Sequence, residues 1–179
     1  MSPQPPIPTL LTSRLVLRAP RVEDFPAFAD FLASERTHYM GGPVADHMQA
    51  SRAFGNLAGL WVLRGYGMFV LERRDTGEPV GHAGARHPMP WPELELGWCL
   101  WSAAGEGEGF MTEAMRQIHG WVFDGLGWET CVSYMGARNA RSAALARRMG
   151  AVIDPDAARP EGDNRDDVTV WRHRKGGLE

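Results

Sequence analysis

Apolar and basic residues alternate in RLVLR (14–18), the period of a strand with one face buried. Phe25, Phe28 and Leu32 then recur at helical spacing behind Asp24 and Pro26, a start acid and a first-turn proline, and predict a helix. SERTHYMGGPV (34–44) keeps no period, and its GGP breaks any helix, so it reads as a loop. From Asp46 a second helix is predicted, with Phe54, Leu57, Ala58 and Trp61 on one face and a stop near Gly65.

GMFVLERR (67–74), the turn DTGEP (75–79) and VGHAGAR (80–86) form a predicted hairpin. After the proline-interrupted HPMPWP comes a third strand, ELELGWCLW (93–101). Its alternation puts Leu94, Leu96, Trp98 and Leu100 on one face, and Glu93, Glu95, Gly97 and Cys99 on the other. AAGEGEGFMTEAM (103–115) opens a helix carrying Met111, Ala114, Met115, Ile118, Val122 and Leu126. ETCVSYM (129–135) reads as a strand. NARSAALARRMGA reads as a short helix with Asn139 as N-cap, Leu145, Ala146 and Met149 as its apolar stripe, and Gly150 at its C-terminal cap. A polar loop (154–166) and a last strand, DVTVWRH (167–173), complete the series. Residues 1–11, rich in proline, read as a flexible lead-in and 176–179 as a tail. With no internal repeat or boundary, the expectation is one mixed α/β domain over residues 12–175.

Composition narrows the function more than the fold. A length of 179 residues suits one domain with a real core, and 44% hydrophobic residues are ordinary for a globular chain. A net charge of −3 without a local basic cluster gives no footprint for nucleic acid. Cys99 and Cys131 lie in apolar runs, and neither they nor the six histidines show metal-ligand spacing. Two reduced, buried thiols and no bound metal are expected. The opening residues lack a signal-peptide pattern and no apolar run reaches membrane-spanning length, so the expected location is the cytoplasm, away from membranes.

The chemistry concentrates in GEGEG (105–109). A strand, a glycine-rich turn and a helix start form an anion site, because free amides point outward and glycine lets backbone approach a phosphate. A P-loop needs a lysine that is absent here. A dinucleotide fingerprint counted from Gly105 meets Phe110 where its last glycine should stand. A third reading is a resemblance: GEGEG is similar to the G-x-G pyrophosphate loop of acetyl-CoA-dependent N-acetyltransferases.

TSRLVLR, ELGWCLW, EGEGFMTEA and LGWETCVSYMGARNARSAALARRMGA stand in order from Thr12 to Lys175. Together they resemble the GNAT superfamily of N-acetyltransferases, in particular its ribosomal-protein-alanine-acetyltransferase-like branch. The resemblance implies a mostly antiparallel twisted sheet with one splayed strand pair and flanking helices. It implies acetyl-CoA as co-substrate, with the pantetheine arm on the backbone edge around Trp98, Cys99 and Leu100. The pyrophosphate would sit on the loop from Gly107 through Glu108, Gly109 and Phe110 to Met111, with the Thr112 hydroxyl as a further donor. Asn139 and Ser142 match the N-x-x-S element that contacts pantetheine and the thioester region. Two positions depart from the pattern: Ala104 stands where glutamine or arginine is usual, and Glu108 where a basic residue is common. Glu106 and Glu108 are therefore expected to turn their carboxylates away from the phosphates.

The implied reaction is attack of a neutral amine on the thioester, which needs a base, an oxyanion donor and an acid for the leaving thiolate. Glu95, two residues before Gly97 on one strand face, is the first choice for the base and Glu93 the reserve. Ser142 and Tyr134 are both candidates for the acid. Cys99 reads as an inert thiol. Trp91 is expected near an acceptor channel, and His38 and Tyr39 as contacts in its wall. The acceptor is a protein N-terminal α-amine or a small-molecule amine, and the protein a monomer or homodimer. A second reading is a non-catalytic acyl-CoA-binding or regulatory domain.

Overall fold

The computed structural model describes residues 6–163 and 166–178. Met1–Pro5 of the lead-in, Asn164 and Arg165 of the polar loop and Glu179 of the tail lie outside them.

The strands are β1 (Leu10–Leu11), β2 (Leu15–Arg18), β3 (Met68–Arg73), β4 (Pro79–Arg86), β5 (Glu95–Leu100), β6 (Thr130–Gly136), β7 (Val152–Ile153) and β8 (Val168–Arg174). They make one eight-stranded sheet in the order β1-β2-β3-β4-β5-β6-β8-β7, antiparallel throughout except for β5 beside β6. The helices are α1 (Phe25–Leu32), α2 (His47–Arg64), α3 (Phe110–Gly120) and α4 (Ala140–Arg148). Asp46 caps α2 by accepting from the Gln49 N–H, and Asn139, the N-cap expected from the sequence, caps α4 by accepting from the Ser142 N–H.

Alternation along each strand splits the side chains between two layers. On one face Leu15, Leu17, Phe69, Leu71, Ala83, Ala85 and Leu96 pack against the α3 residues Phe110, Met111, Ala114, Met115 and Ile118. On the other, Val70 and Trp101 meet Phe28, Ala29, Phe31 and Leu32 of α1 and Ala50 of α2. The Trp101 indole N–H donates to His82 Nδ1 at 2.7 Å, so that nitrogen is the bare acceptor of the ring. Burial pushes the His82 pKa down to about 3, and the imidazole stays neutral beneath α1. Each such aromatic or aliphatic side chain contributes about 1.5–3 kcal/mol through burial.

α1 is also held by charge. Arg18 on β2 donates through Nη1 and Nη2 to both Asp24 oxygens at 2.8 and 2.7 Å, and the Arg21 N–H adds a third bond to Asp24 Oδ2 at 2.8 Å. Arg18 and Asp24 are 5% and 2% exposed, so this pair is buried.

Four details differ from the sequence reading. Residues Glu35–Met40 of the expected loop form a 3-10 helix, which leaves no 3.6-residue period to detect. Ala58 is exposed, because α2 turns only Ala50, Leu60 and Trp61 fully inward. The α3 helix gives way to a π-turn at Trp121–Gly125 before Leu126. Finally, Leu10–Leu11 and Val152–Ile153 add two-residue edge strands too short to show alternation.

Candidate active site

β5 and β6 run side by side at one position only, Glu95 against Val132. There the Val132 N–H donates to the Leu94 C=O at 2.9 Å. Beyond this pair the strands part. Backbone groups alternate sides along a strand, and the Trp101 N–H turns to Val80 on β4 at 2.9 Å. Trp98 and Leu100 therefore present N–H and C=O to the opening, whereas the Cys99 backbone lies against His82 on β4. Arg36, from the 3-10 segment, donates to the Leu100 C=O through Nε and Nη2, both at 3.3 Å.

The glycine loop follows β5 directly. Gly107 and Gly109 adopt φ of +79° and +77°, the left-handed region that side chains with a Cβ disfavour. Gly109 is the N-cap of α3 and no side chain caps that end, which leaves the first-turn amides and the positive end of the helix dipole to an incoming anion. Phe110 and Met111 are buried in the core and fix the helix start.

The acids of the loop are matched by arginines from elsewhere. Glu106 Oε1 lies 2.8 Å from Arg36 and 2.7 Å from Arg141 on α4. Glu108 is exposed, and its C=O accepts from Arg14 at 2.8 Å. Arg14 also holds Glu113 in the first turn of α3 through Nε, at 2.7 Å, while its guanidinium lies over the Phe110 ring at 4.7 Å. Burial alone would raise the Glu113 pKa, but bonds from Thr12, Ser13 and the Arg14 backbone and side chain pull it down to about 2. The Glu106 carboxylate is thus paired with two cations rather than left to open solvent.

α4 closes the far side of the opening. Asn139 Oδ1 accepts from the Ser142 N–H at 3.2 Å, and Ser142 Oγ accepts from the Trp98 indole at 3.3 Å. The two residues of the N-x-x-S element are thereby brought to β5. Tyr39, which is exposed, donates to the Arg138 C=O at 3.1 Å and bridges the 3-10 segment to the start of α4; His38 stacks edge-on beside it at 5.0 Å. Thr112 lines an open cavity of about 690 Å³ with Gly109 of the glycine loop, Thr12, Arg14, Glu113 and Arg116, walled by the β1–β2 turn and the start of α3 and not by α4.

Glu95 sits on the opposite face of the sheet from Trp98, beside the point where the strands part. It is 5% exposed, and burial raises its pKa to about 7 against the opposing pull of Arg86. The Arg86 Nε lies 3.1 Å from Glu95 Oε2 without hydrogen-bond alignment, and its guanidinium stacks on Trp91 at 5.0 Å. The Trp91 indole N–H, close enough to lower that pKa a little further, is buried and closes no hydrogen bond among the described residues. Gly97 supplies the room: a Cβ there would meet Arg86 Cδ at 3.2 Å and Met68 Cε at 3.3 Å.

Glu93, by contrast, is held by both Arg172 amino groups at 2.7 and 3.0 Å. Tyr134 shares the Glu95 face, 6.5 Å from Trp91 between ring centroids, and donates to the Ala158 C=O at 3.0 Å. Burial and the nearby Glu93 and Glu95 push its phenol well above the usual range. The two acid candidates are thus separated, Ser142 with Trp98 and Tyr134 with Trp91. Cys99 Sγ lies 3.3 Å from Met40 Sδ, and burial pushes its thiol up to about 12, too high for a thiolate nucleophile. Both cysteines are free. No group of three or more His, Cys, Asp or Glu able to hold a metal occurs among the described residues, and no described helix is long and apolar enough to cross a membrane. Arg36, Arg86 and Arg141 escaped the sequence reading. Only their chain-distant partners mark them.

A splayed parallel pair, an uncapped helix start behind a glycine loop and a capped helix thus border one opening in the sheet. Residues 14–152 match the acetyltransferase (GNAT) domain family, and the chain belongs to it. The structure is similar to an acetyltransferase from Agrobacterium tumefaciens str. C58, at 37% identity over 97% of this chain and 98% of that one, with a TM-score of 0.86. A GNAT-family acetyltransferase from Bacillus anthracis shares the fold at 14% identity, covering 94% of this chain and 99% of its own, with a TM-score of 0.75. So does RimL, a ribosomal L7/L12 alpha-N-protein acetyltransferase in complex with coenzyme A, at 17% identity over 93% and 98% of the two chains, with a TM-score of 0.71. The protein is an acetyl-CoA-dependent acetyltransferase.

Proposed function

We propose that this enzyme acetylates a primary amine, either the α-amine of a protein N-terminus or a small-molecule amine, by direct attack in a ternary complex. The observation that carries the reading is Glu95, buried on the sheet at the parting of β5 and β6 with a pKa raised to about 7. A carboxylate so tuned can take a proton from an ammonium at neutral pH. The residues fit the co-substrate: amides from Gly107 to Met111, with the Thr112 hydroxyl, would hold the pyrophosphate. The Trp98 and Leu100 edge, with Asn139 and Ser142, would hold the pantetheine arm. Acetyl-CoA supplies an activated acetyl thioester when bound. As the amine nitrogen bonds to the thioester carbon, Glu95 would accept the amine proton and the Trp98 backbone N–H would donate to the developing oxyanion. As the C–S bond breaks, the Ser142 hydroxyl would pass its proton to the leaving sulfur and regain one from solvent. Glu93, occupied by Arg172, and Tyr134, tied to Ala158, are the less favoured partners.

The test follows free CoA thiol over a panel of amines and N-terminal peptides, with Ser142→Ala beside the wild type. Thiol release with one acceptor class, reduced in the variant, is expected. Stabilisation by acetyl-CoA with no thiol release from any acceptor would overturn amine acetylation and favour the non-catalytic reading.

The Glu106 bridge carries its own prediction. Glu106→Gln frees the charges of Arg36 and Arg141 beside the phosphate loop, so acetyl-CoA is expected to bind several-fold tighter and with a steeper salt dependence. Calorimetric titration at two ionic strengths reads both. Weaker binding would mean that the bridge shapes the site instead of competing with the ligand.

A further inference from the structure

Where β5 and β6 part, a side chain occupies the position of the next ladder bond. A continued parallel ladder would bring the Tyr134 N–H onto the Leu96 C=O, and that pairing is absent from the register. The Leu96 C=O instead accepts from Ser133 Oγ at 2.6 Å. The Ser133 Oγ also lies 3.0 Å from His173 Nε2 on β8. Because the Ser133 hydroxyl proton goes to Leu96, Nε2 must carry the hydrogen and donate to Ser133, leaving Nδ1 bare. Nδ1 has no hydrogen-bond partner among the described residues, which agrees with that tautomer. The group is sealed: Leu96, Ser133 and His173 are 1%, 2% and 0% exposed. Its neighbours keep His173 neutral, since burial lowers its pKa to about 3 and the buried His119 adds to that effect. From the β5 side the Trp98 indole leans toward the same histidine, edge-on at 6.3 Å, and packs with Met135, Ala146 and Trp171.

We infer that Ser133 is a positioning residue, which ends the β5–β6 ladder by satisfying the Leu96 carbonyl and so keeps the Trp98–Leu100 edge open to the pantetheine arm. A buried carbonyl must be paired. Were β6 to supply that partner from its backbone, the Tyr134 N–H would have to approach β5 and draw the strands together where the opening begins. The hydroxyl reaches further than the backbone, and His173 holds it in the donating direction. Glu95 lies at the last paired position, so the same device sets where the general base stands relative to the opening. The inference rests on the reading of this edge as the pantetheine site.

The experiment compares Ser133→Ala with Ser133→Thr, which keeps the donor. Dissociation constants are measured for coenzyme A and for adenosine 3′,5′-bisphosphate, which carries phosphates but no pantetheine, with hydrogen exchange at the Tyr134 amide beside them. In the alanine variant the Tyr134 amide is expected to become protected, coenzyme A to bind roughly tenfold more weakly, about the loss of one or two hydrogen bonds, and the bisphosphate to bind unchanged. Threonine should restore coenzyme A to within about threefold of the wild type. If the alanine variant does not fold, Ser133→Cys, similar in size and a poor donor, replaces it with the same expectations. An unchanged Tyr134 amide overturns the inference about Ser133. A newly protected amide with unchanged coenzyme A binding overturns the assignment of the edge to pantetheine instead. Loss of both ligands alike would mark Ser133 as a general packing residue and also overturn it.

Discussion

Glu95→Gln is expected to lower kcat by about 10²–10⁴-fold, the usual contribution of a positioned general base. Glutamine keeps the size and buried position of the side chain and removes only the ability to take a proton. The pH dependence makes the assignment specific. Burial raises the Glu95 pKa to about 7, so the wild-type carboxyl is largely protonated below neutrality and ionised above it. The wild-type kcat should rise through about pH 7 to a plateau, and the glutamine variant should lose that step. A stability effect of opposite sign accompanies it. A carboxyl whose folded pKa lies above its unfolded value costs the fold stability as pH rises from the unfolded pKa through the folded one. The variant should therefore melt at a higher temperature than the wild type at pH 8 and show no such gain at pH 4. Arg86, left without Glu95, is only half-buried and can hydrate. A wild-type pH step that persists in the variant would assign the base elsewhere.

The largest loss of stability is expected from Asp24→Ala. The substitution strips the buried Arg18 of its bidentate partner and the Arg21 N–H of its acceptor, leaving Glu72 as the other carboxylate bonded to Arg18. Removing one member of a buried ion pair typically costs about 3–5 kcal/mol, because the remaining charge stays desolvated. Urea unfolding should show a lower midpoint with an unchanged m-value. Asp75→Ala serves as the control, since Asp75 pairs with Arg73 at 2.6 Å on the exposed β3–β4 turn, and no measurable change is expected there. Equal effects at the two sites would refute the claim that burial sets the cost.

What was legible in the sequence follows from what local periodicity can encode. The two faces of β5 were readable because alternation is a property of consecutive residues, and Glu95, Gly97 and Cys99 fall together as expected. The loop glycines were readable because a left-handed turn before a helix restricts residue choice. The burial of Glu95 was not, since Arg86 comes from the neighbouring strand and Trp91 from a loop. The arginines on Glu106 were hidden for the same reason: Arg36 precedes it by seventy positions in the chain and Arg141 follows it by thirty-five. Ser133, inside an apolar strand, showed no sign of a role, because its partners Leu96 and His173 are joined only by sheet order. The 3-10 segment at Glu35–Met40 fell below the length at which any period shows.

The single residue pair between β5 and β6 also bears on how the chain folds. β1 to β5 form a run of antiparallel neighbours in chain order, and β6, β8 and β7 form a second antiparallel group with β8 in its middle, whereas the one parallel contact joins Glu95 to Val132 across an intervening loop and helix. Closing that long loop costs entropy that one ladder position barely offsets. The two groups of strands should therefore exchange their amide hydrogens as separate cooperative units, with α3 as the packing that couples them.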